Sequence, residues 1–398
     1  MHEKGEVMDM MIDLLFGLLR LFVQPLFYLL LAFAVLVNYR RVRQERRDFH
    51  VRIYGVFDGL MESILPGLIA GLAGSVVLVA VGIMLPPGMI VFIAIFYLVA
   101  MLTFQLRLVS PVLTVGAAAL CAYWLPAVTT GVPLLDNWID GIRERPISST
   151  VLLLGLLIVL EGFLIRFRGV KTNPRLMPGR RGKTVGAHEA RKLWFVPLCL
   201  LLPGGVIPSM GLWPLAGQEN DGFSILLVPF GFGFYRLITD SAPKQVVISV
   251  AKQRLWLGVV VVALAAGAIY SDIEWLAVGA AAISVLFGLW NLLLRRFFRK
   301  RESFYFSQRD DGLTVLGVLP GSPAEKLGVR VGECIRKVNG EQVREEGDFY
   351  RALQGNAAYC KMEVLDESGE VRFVQGALYE GAHHELGLLF VAPPKAAL

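Results

Sequence analysis

The stretch Gly312-Leu-Thr-Val-Leu-Gly-Val-Leu-Pro-Gly-Ser-Pro-Ala-Glu-Lys-Leu-Gly-Val-Arg-Val-Gly-Glu-Cys-Ile-Arg-Lys-Val-Asn-Gly340 decides how the C-terminal part of the chain folds. Leu313, Val315 and then Val318 are spaced like a strand that buries one face and shifts register at Gly317. Pro320-Gly-Ser-Pro323 is turn chemistry: Ser322 caps a short helix, Pro323 sits in its first turn, and Gly328 stops it. Cys334 to Val338 alternates like a second strand. Asn339-Gly340 favours a tight hairpin, because both residues tolerate φ > 0. Working outward, Glu341 to Val343 continues a strand. Glu345 to Gln354 reads as a helix with Phe349, Tyr350 and Leu353 on one side. Met362, Val364 and Val371, Phe373 make a hairpin around Ser368-Gly369. His383-His-Glu-Leu-Gly-Leu-Leu-Phe-Val391 is the last element.

This order of strand, turn and hairpin resembles a bacterial PDZ domain, with Glu333 where that family usually carries Asp. PDZ domains bind peptides by adding them as a strand to a sheet edge. The resemblance implies a carboxylate-binding loop of Gly-Leu-Gly-Phe type, and Glu385-Leu386-Gly387-Leu388 is similar to it. Its place near the C-terminus implies a circularly permuted order. On that basis Leu386, Gly387 and Leu388 supply the carboxylate nest, and Leu389 and Val391 pair with the peptide. Phe349 and Leu353 line the other wall. The plainer alternative makes Leu386 to Leu388 a closing edge strand. His383 and His384 solvate the loop or touch the ligand; with no Cys or further His nearby in sequence, a metal role is not expected.

The rest of the chain is apolar. Of 398 residues 55% are hydrophobic and only 18% are charged, and the mean hydropathy is +0.58. That lies far from ordinary soluble proteins. The formal charge is +6, from 39 Lys and Arg against 33 Asp and Glu. Arginine clusters beside apolar runs, which points to membrane surfaces and not to nucleic acid. Cys121, Cys199, Cys334 and Cys360 show no pairing pattern, so free thiols are expected, with no disulfide frame or zinc site. Met1 to Asp9 does not read as a cleaved signal peptide.

A bilayer span needs roughly 20 mostly apolar residues in a helix. About nine candidate spans follow: Leu21–Val37, Ile64–Met84, Gly88–Phe104, Pro111–Val128, Ile147–Ile165, Leu193–Leu215, Phe223–Ile238, Leu255–Tyr270 and Trp275–Leu294. The expected organisation is an N-terminal segment at 1–20, which either extends the first span or lies flat as an interfacial helix, then a transmembrane domain at 21–300 and a PDZ domain at 301–398. The fold class is thus an α-helical polytopic membrane domain followed by a small α+β PDZ domain. Lys and Arg crowd the segments after alternate spans, which puts the PDZ-like domain in the cytoplasm. An N-terminus inside with an even span count gives the same side.

Within the apolar part, Gly67, Gly71 and Ser75 recur every four residues, a spacing that lets helices approach closely. Glu161 lies one turn from a cytoplasmic span end, near Arg166, and reads as a snorkelled pair more readily than as an ion pathway. Arg40, Arg41, Arg43, Arg46, Arg47 and Arg52 directly follow a span and suit contact with anionic lipid or a partner. The embedded Asp48-Phe49-His-Val-Arg-Ile-Tyr54 mixes aromatic and charged groups and suits a contact surface.

Gln24 to Tyr28, Arg41 to Tyr54 and Arg180-Arg-Gly-Lys-Thr-Val-Gly-Ala-His188, followed by more spans and a C-terminal PDZ-like domain, resemble the MinJ family of cell-division topological determinants. The resemblance implies an adaptor between the scaffold DivIVA and the MinD ATPase of the MinC–MinD division inhibitor, placed at septa and poles among other division-site membrane proteins. No cofactor is implied.

Catalytic readings find little support. His188-Glu189-Ala-Arg-Lys192 lacks the second His of a metalloprotease helix, and none of the five His residues lies well inside a span. There is no Gly-x-Ser-x-Gly elbow and no phosphate-binding loop. An enzyme is therefore not expected. The competing readings are a transporter or channel with a regulatory PDZ domain, using Glu161 or spans broken at Pro203-Gly-Gly205 and Gly231-Phe-Gly233, and a protease relative without catalytic residues.

Overall fold

The computed structural model describes residues 12, 15–49, 53, 55–179, 184–208, 213–214, 222–297, 304–307, 309, 311–356, 359–366, 368–378 and 386–391. The first six helices are α1 (Pro25–Phe49), α2 (Val56–Val81), α3 (Pro87–Leu102), α4 (Pro111–Tyr123), α5 (Pro133–Arg143) and α6 (Ser148–Arg168). Three strands follow, β1 (Asn173–Pro178), β2 (Thr184–Ile207) and β3 (Phe223–Ile238), and then α7 (Pro243–Ser271) and α8 (Glu274–Phe297). The C-terminal domain holds β4 (Leu313–Val318), α9 (Pro323–Leu327), β5 (Cys334–Val338), β6 (Glu341–Gln342), α10 (Glu346–Gln354), β7 (Tyr359–Leu365), β8 (Val371–Ala377) and β9 (Leu388–Phe390). The chain is therefore a mostly helical apolar region followed by a PDZ domain.

Among the described residues, five helices are long and apolar enough to cross a membrane: α1, α2, α6, α7 and α8. Helices α3 and α4 are apolar but shorter. The sixth and seventh expected spans are corrected. Over the described residues of Leu193–Leu215 and Phe223–Ile238 the chain forms strands in place of helices: β2 and β3 pair in an antiparallel hairpin, from His188 opposite Ile238 to Pro203 opposite Phe223.

A sheet edge cannot face lipid, because each unpaired backbone group buried without water costs several kcal/mol. Here the edges are covered. Gly67 and Gly71 of α2 lie against the carbonyls of Phe195 and Pro197, so closely that an added Cβ would sit 2.0 and 2.4 Å from those oxygens. Ser75 Oγ accepts from the Cys199 N–H at 2.9 Å. Leu201 N–H donates to Ile83 O at 3.3 Å, and Leu85 N–H donates to Leu201 O at 3.1 Å. On the other strand, Gln24 Nε2 donates to Leu227 O at 2.7 Å. Odd positions of both strands thus point outward. Pro197 and Pro229 stand opposite each other at such positions, where a missing N–H removes a donor that would otherwise need a partner. The small-residue stripe of α2 serves a strand edge, where the spacing had suggested a second helix.

Beyond the bundle the same hairpin carries the PDZ domain. Strand β1 joins β2 from Asn173 opposite Glu189 to Pro178 opposite Thr184. Gly186 N–H donates to Phe306 O at 2.9 Å, and Tyr305 N–H to Thr239 O at 2.9 Å, so the linker continues the edge where β3 ends. Phe306, Leu316 and Val391 are buried there together, packed by Phe49, Leu176, Tyr305 and Val331. Asp48 Oδ2 accepts from Leu176 N–H at 3.3 Å. The mixed stretch after α1 thus spends Asp48 and Phe49 on an internal contact; positions 50–52 and 54 lie outside the described residues.

His188 closes this junction. Its Nε2 lies 2.8 Å from Leu316 O and its Nδ1 2.8 Å from Thr172 Oγ1. A carbonyl only accepts, so Nε2 carries the proton and Nδ1 accepts from the threonine. Burial pushes the imidazole down to about 4. The folded value lies below the ordinary one, so the unfolded chain protonates first. This contribution is complete above about pH 6.5 and is lost as pH falls toward 4.

Two outcomes follow. Gly71→Leu drives a side chain into Pro197 and lowers the melting temperature of the detergent-solubilised protein, at a cost of about 1–3 kcal/mol or more. Gly279→Leu, where a Cβ meets nothing within 4 Å, leaves it within ~0.5 kcal/mol. The melting temperature also falls between pH 7 and pH 5, and the fall is smaller in His188→Gln.

Candidate functional site

The PDZ sheet runs β8-β7-β5-β4-β9, with β6 paired to β5. Its turns form for the reasons the sequence gives. Ser322 Oγ accepts from Glu325 N–H at 3.3 Å, Gly328 ends α9 in the left-handed region at φ +78°, and Asn339 and Gly340 turn at φ +51° and +90°. Glu333 is buried; it accepts from Arg330 N–H at 2.8 Å and pairs with Arg372 at 2.5 Å. The longer carboxylate reaches Arg372 of β8 while still capping its own turn.

Strand β9, the last in sequence, sits at the sheet edge beside β4, as a permuted order requires. Its alternation assigns the backbone groups. Leu319 N–H donates to Gly387 O at 2.8 Å and Val391 N–H to Thr314 O at 3.2 Å, so Gly387, Leu389 and Val391 face β4. By the two-residue period, the backbones of Leu388 and Phe390 face outward. This corrects the expectation that Leu389 and Val391 pair with a peptide. Val391 packs with Phe306 and Leu316 on the hairpin side of the sheet, and Leu389 lies against Gly317.

Leu386 and Gly387 precede the strand as expected. Gly387 is left-handed at φ +81°, and Ala324 N–H donates to Leu386 O at 3.0 Å. A Cβ on Gly387 would stand 2.3 Å from Ser322 Cβ, so only glycine fits. Phe349 and Leu353 are fully buried in the domain core. Phe349 meets Phe390, ring centroids 5.0 Å apart. They back the space between α10 and β9 and do not present an open wall. Phe390 is the residue the sequence reading missed, and its alternation with Leu388 was the available signal. His383, His384 and Glu385 lie outside the described residues.

The arginines after the first span separate into two groups. Arg40, Arg43, Arg46 and Arg47 are exposed. Arg41 is turned inward at 6% exposure. It pairs with Glu45 at 3.5 Å and donates to Gly55 O at 3.1 Å. Glu45 also accepts from Ile53 N–H at 3.0 Å. Arg41 therefore holds the α1–α2 turn and is removed from the lipid-facing set; Arg52 lies outside the described residues.

Glu161 is 1% exposed, and its partner is Arg254 of α7 at 3.8 Å, not Arg166. Among the described residues no three His, Cys, Asp or Glu side chains are placed to hold a metal ion. The four cysteines are free.

The model of the PDZ domain family matches residues 314–364. The chain is 36% identical over 374 residues to the "Cell division topological determinant MinJ" of Bacillus subtilis (strain 168), covering 93% of each protein. It is 26% identical over 260 residues to the "Probable cell division topological determinant MinJ" of Lacticaseibacillus paracasei and of Lacticaseibacillus casei (strain BD-II), covering 62% of this chain and 67% of each relative. No solved structure matches. Shared hydrophobicity alone does not produce such identity across nearly the whole of two chains, PDZ domain included, and the chain belongs to the MinJ family of cell division topological determinants.

Proposed function

We propose that this protein is a non-catalytic, multi-pass membrane adaptor of the Min system, which carries its PDZ domain on the cytoplasmic side and gathers at septa and poles. It connects a polar and septal scaffold of DivIVA type to the MinC–MinD inhibitor through MinD. Other division-site membrane proteins and anionic lipids complete its contacts. The observation that carries docking over catalysis is the outward edge of β9, with the Leu386-Gly387 turn at its start and α10 alongside. An extended peptide added there bonds to the outward groups of Leu388 and Phe390. The N–H groups around left-handed Gly387 suit a terminal carboxylate. Exposed Arg40, Arg43, Arg46 and Arg47 lie where the first long helix leaves the apolar layer, and each contributes about 1 kcal/mol near an anionic surface.

The transporter reading draws on Glu161, but a carboxylate already held by Arg254 is better suited to fixing α6 against α7. Glu161→Gln accordingly leaves the cellular distribution unchanged.

Removing residues 304–398 leaves the remainder in the membrane fraction and abolishes recovery of at least one of MinD and DivIVA in a pull-down. Undiminished recovery of both contradicts docking through the PDZ domain. A fluorescent fusion of the full chain in a rod-shaped host concentrates at division sites and poles. Uniform membrane fluorescence through the cell cycle contradicts the division role.

A further inference from the structure

Away from the PDZ edge, a cavity of about 250 Å³ opens between α1, the loop after α3 and the hairpin. Three guanidinium groups line it, from Arg40, Arg107 and Arg191. Each is placed by an aromatic ring. Arg40 lies 4.8 Å from the centre of the Phe104 ring. Arg107 and Arg191 share the Tyr235 ring at 4.4 and 5.6 Å. Glu189 pairs with Arg191 at 2.7 Å and also takes Arg175 at 3.2 Å. Three guanidinium groups thus border one cavity.

The other wall is apolar: Phe33, Leu36 and Val37 come from α1, a helix long and apolar enough to span a bilayer. Arg40 follows one turn after Val37, where that helix passes from apolar to basic sequence. The cavity thus joins guanidinium groups to an apolar wall at the point where α1 passes from apolar to basic sequence.

We infer that this cavity binds the phosphate of an anionic glycerophospholipid, with the guanidinium groups on the phosphate oxygens and the acyl chains along α1. Guanidinium presents paired N–H donors that match phosphate oxygens, which a lone ammonium does not. Basic pockets beside membrane helices on the cytoplasmic side suit such headgroups. The Phe104 and Tyr235 rings hold the arginines in place, which lowers the ordering cost on binding. The inference rests on the reading that α1 crosses a membrane. It differs from the exposed arginines of α1 because it needs residues from the α3–α4 loop and from β2, far apart in sequence.

The test uses the full chain in nanodiscs of phosphatidylcholine, titrated with headgroup-labelled phosphatidylglycerol. The wild type binds the label, and Arg107→Gln and Arg191→Gln each weaken binding about fivefold, the equivalent of about 1 kcal/mol per arginine. Arg166→Gln, whose exposed side chain lies outside the cavity, leaves binding unchanged. Melting curves in pure phosphatidylcholine confirm that each variant is folded. Equal affinity in all variants overturns the inference. Competition by glycerol 3-phosphate at concentrations equal to the lipid overturns the lipid assignment and leaves a free-phosphate site. Failure of the wild type to sediment with membranes instead contradicts the membrane reading itself, a separate readout.

Discussion

The structure depends on keeping a two-stranded hairpin hydrogen-bonded inside an apolar bundle. Two strands make two edges, and each edge offers N–H and C=O groups that neither lipid nor an aliphatic side chain can satisfy. The molecule answers with glycines on α2 that let the strand lie against the helix backbone, a serine and a glutamine aimed at single backbone groups, and prolines where no donor is wanted. These devices fix the register of β2 against α2, and so fix everything β2 carries.

What β2 carries is the PDZ domain. The strand has 24 residues and at its full rise reaches about 80 Å. It runs from the middle of the bundle out to Gly186 and His188, where the linker and β4 bond to it. The domain thus docks through the Phe306, Leu316 and Val391 side, and β9 presents its other edge away from β4. A mount of this kind fixes where the β9 edge sits relative to the apolar bundle, which a flexible tether would not.

Much of this was legible in the sequence. The PDZ turns rest on residues whose backbone preferences leave little choice, such as Asn339-Gly340 and Pro323 after Ser322, and the permuted order followed from the position of Leu386-Gly387. Hydropathy misread the hairpin, since an apolar run of span length looks the same as helix or strand. The local signal was present: Phe230, Phe232 and Phe234 alternate with Gly231 and Gly233, a period of two, and Pro197, Pro203 and Pro229 sit inside the runs. The roles of β9 residues failed for another reason. The sequence places a register shift at Gly317, but which backbone groups of β9 face β4 depends on which β9 residue stands opposite that shift, and only the pairing of Gly317 with Leu389 settles it. Arg41 was misassigned because one arginine in a basic run was needed to bind Glu45 across a helical turn.

The hairpin can be tested with a residue the protein already has. Cys199 stands directly opposite Leu227, in a pair whose backbone groups point outward, so the side chains lie at the shorter cross-strand spacing. In a full-length protein with Cys121, Cys334 and Cys360 replaced by Ala, Leu227→Cys forms a disulfide with Cys199 on mild oxidation in membranes, detected as linked peptides by mass spectrometry. With Cys199 also replaced by Ala, Leu201→Cys links to Ile225→Cys as well, because that pair stands two residues along the same ladder; on two packed helices, positions two residues apart lie on opposite faces and both links cannot form. Absence of either link, with both thiols shown to be reactive, would contradict the account.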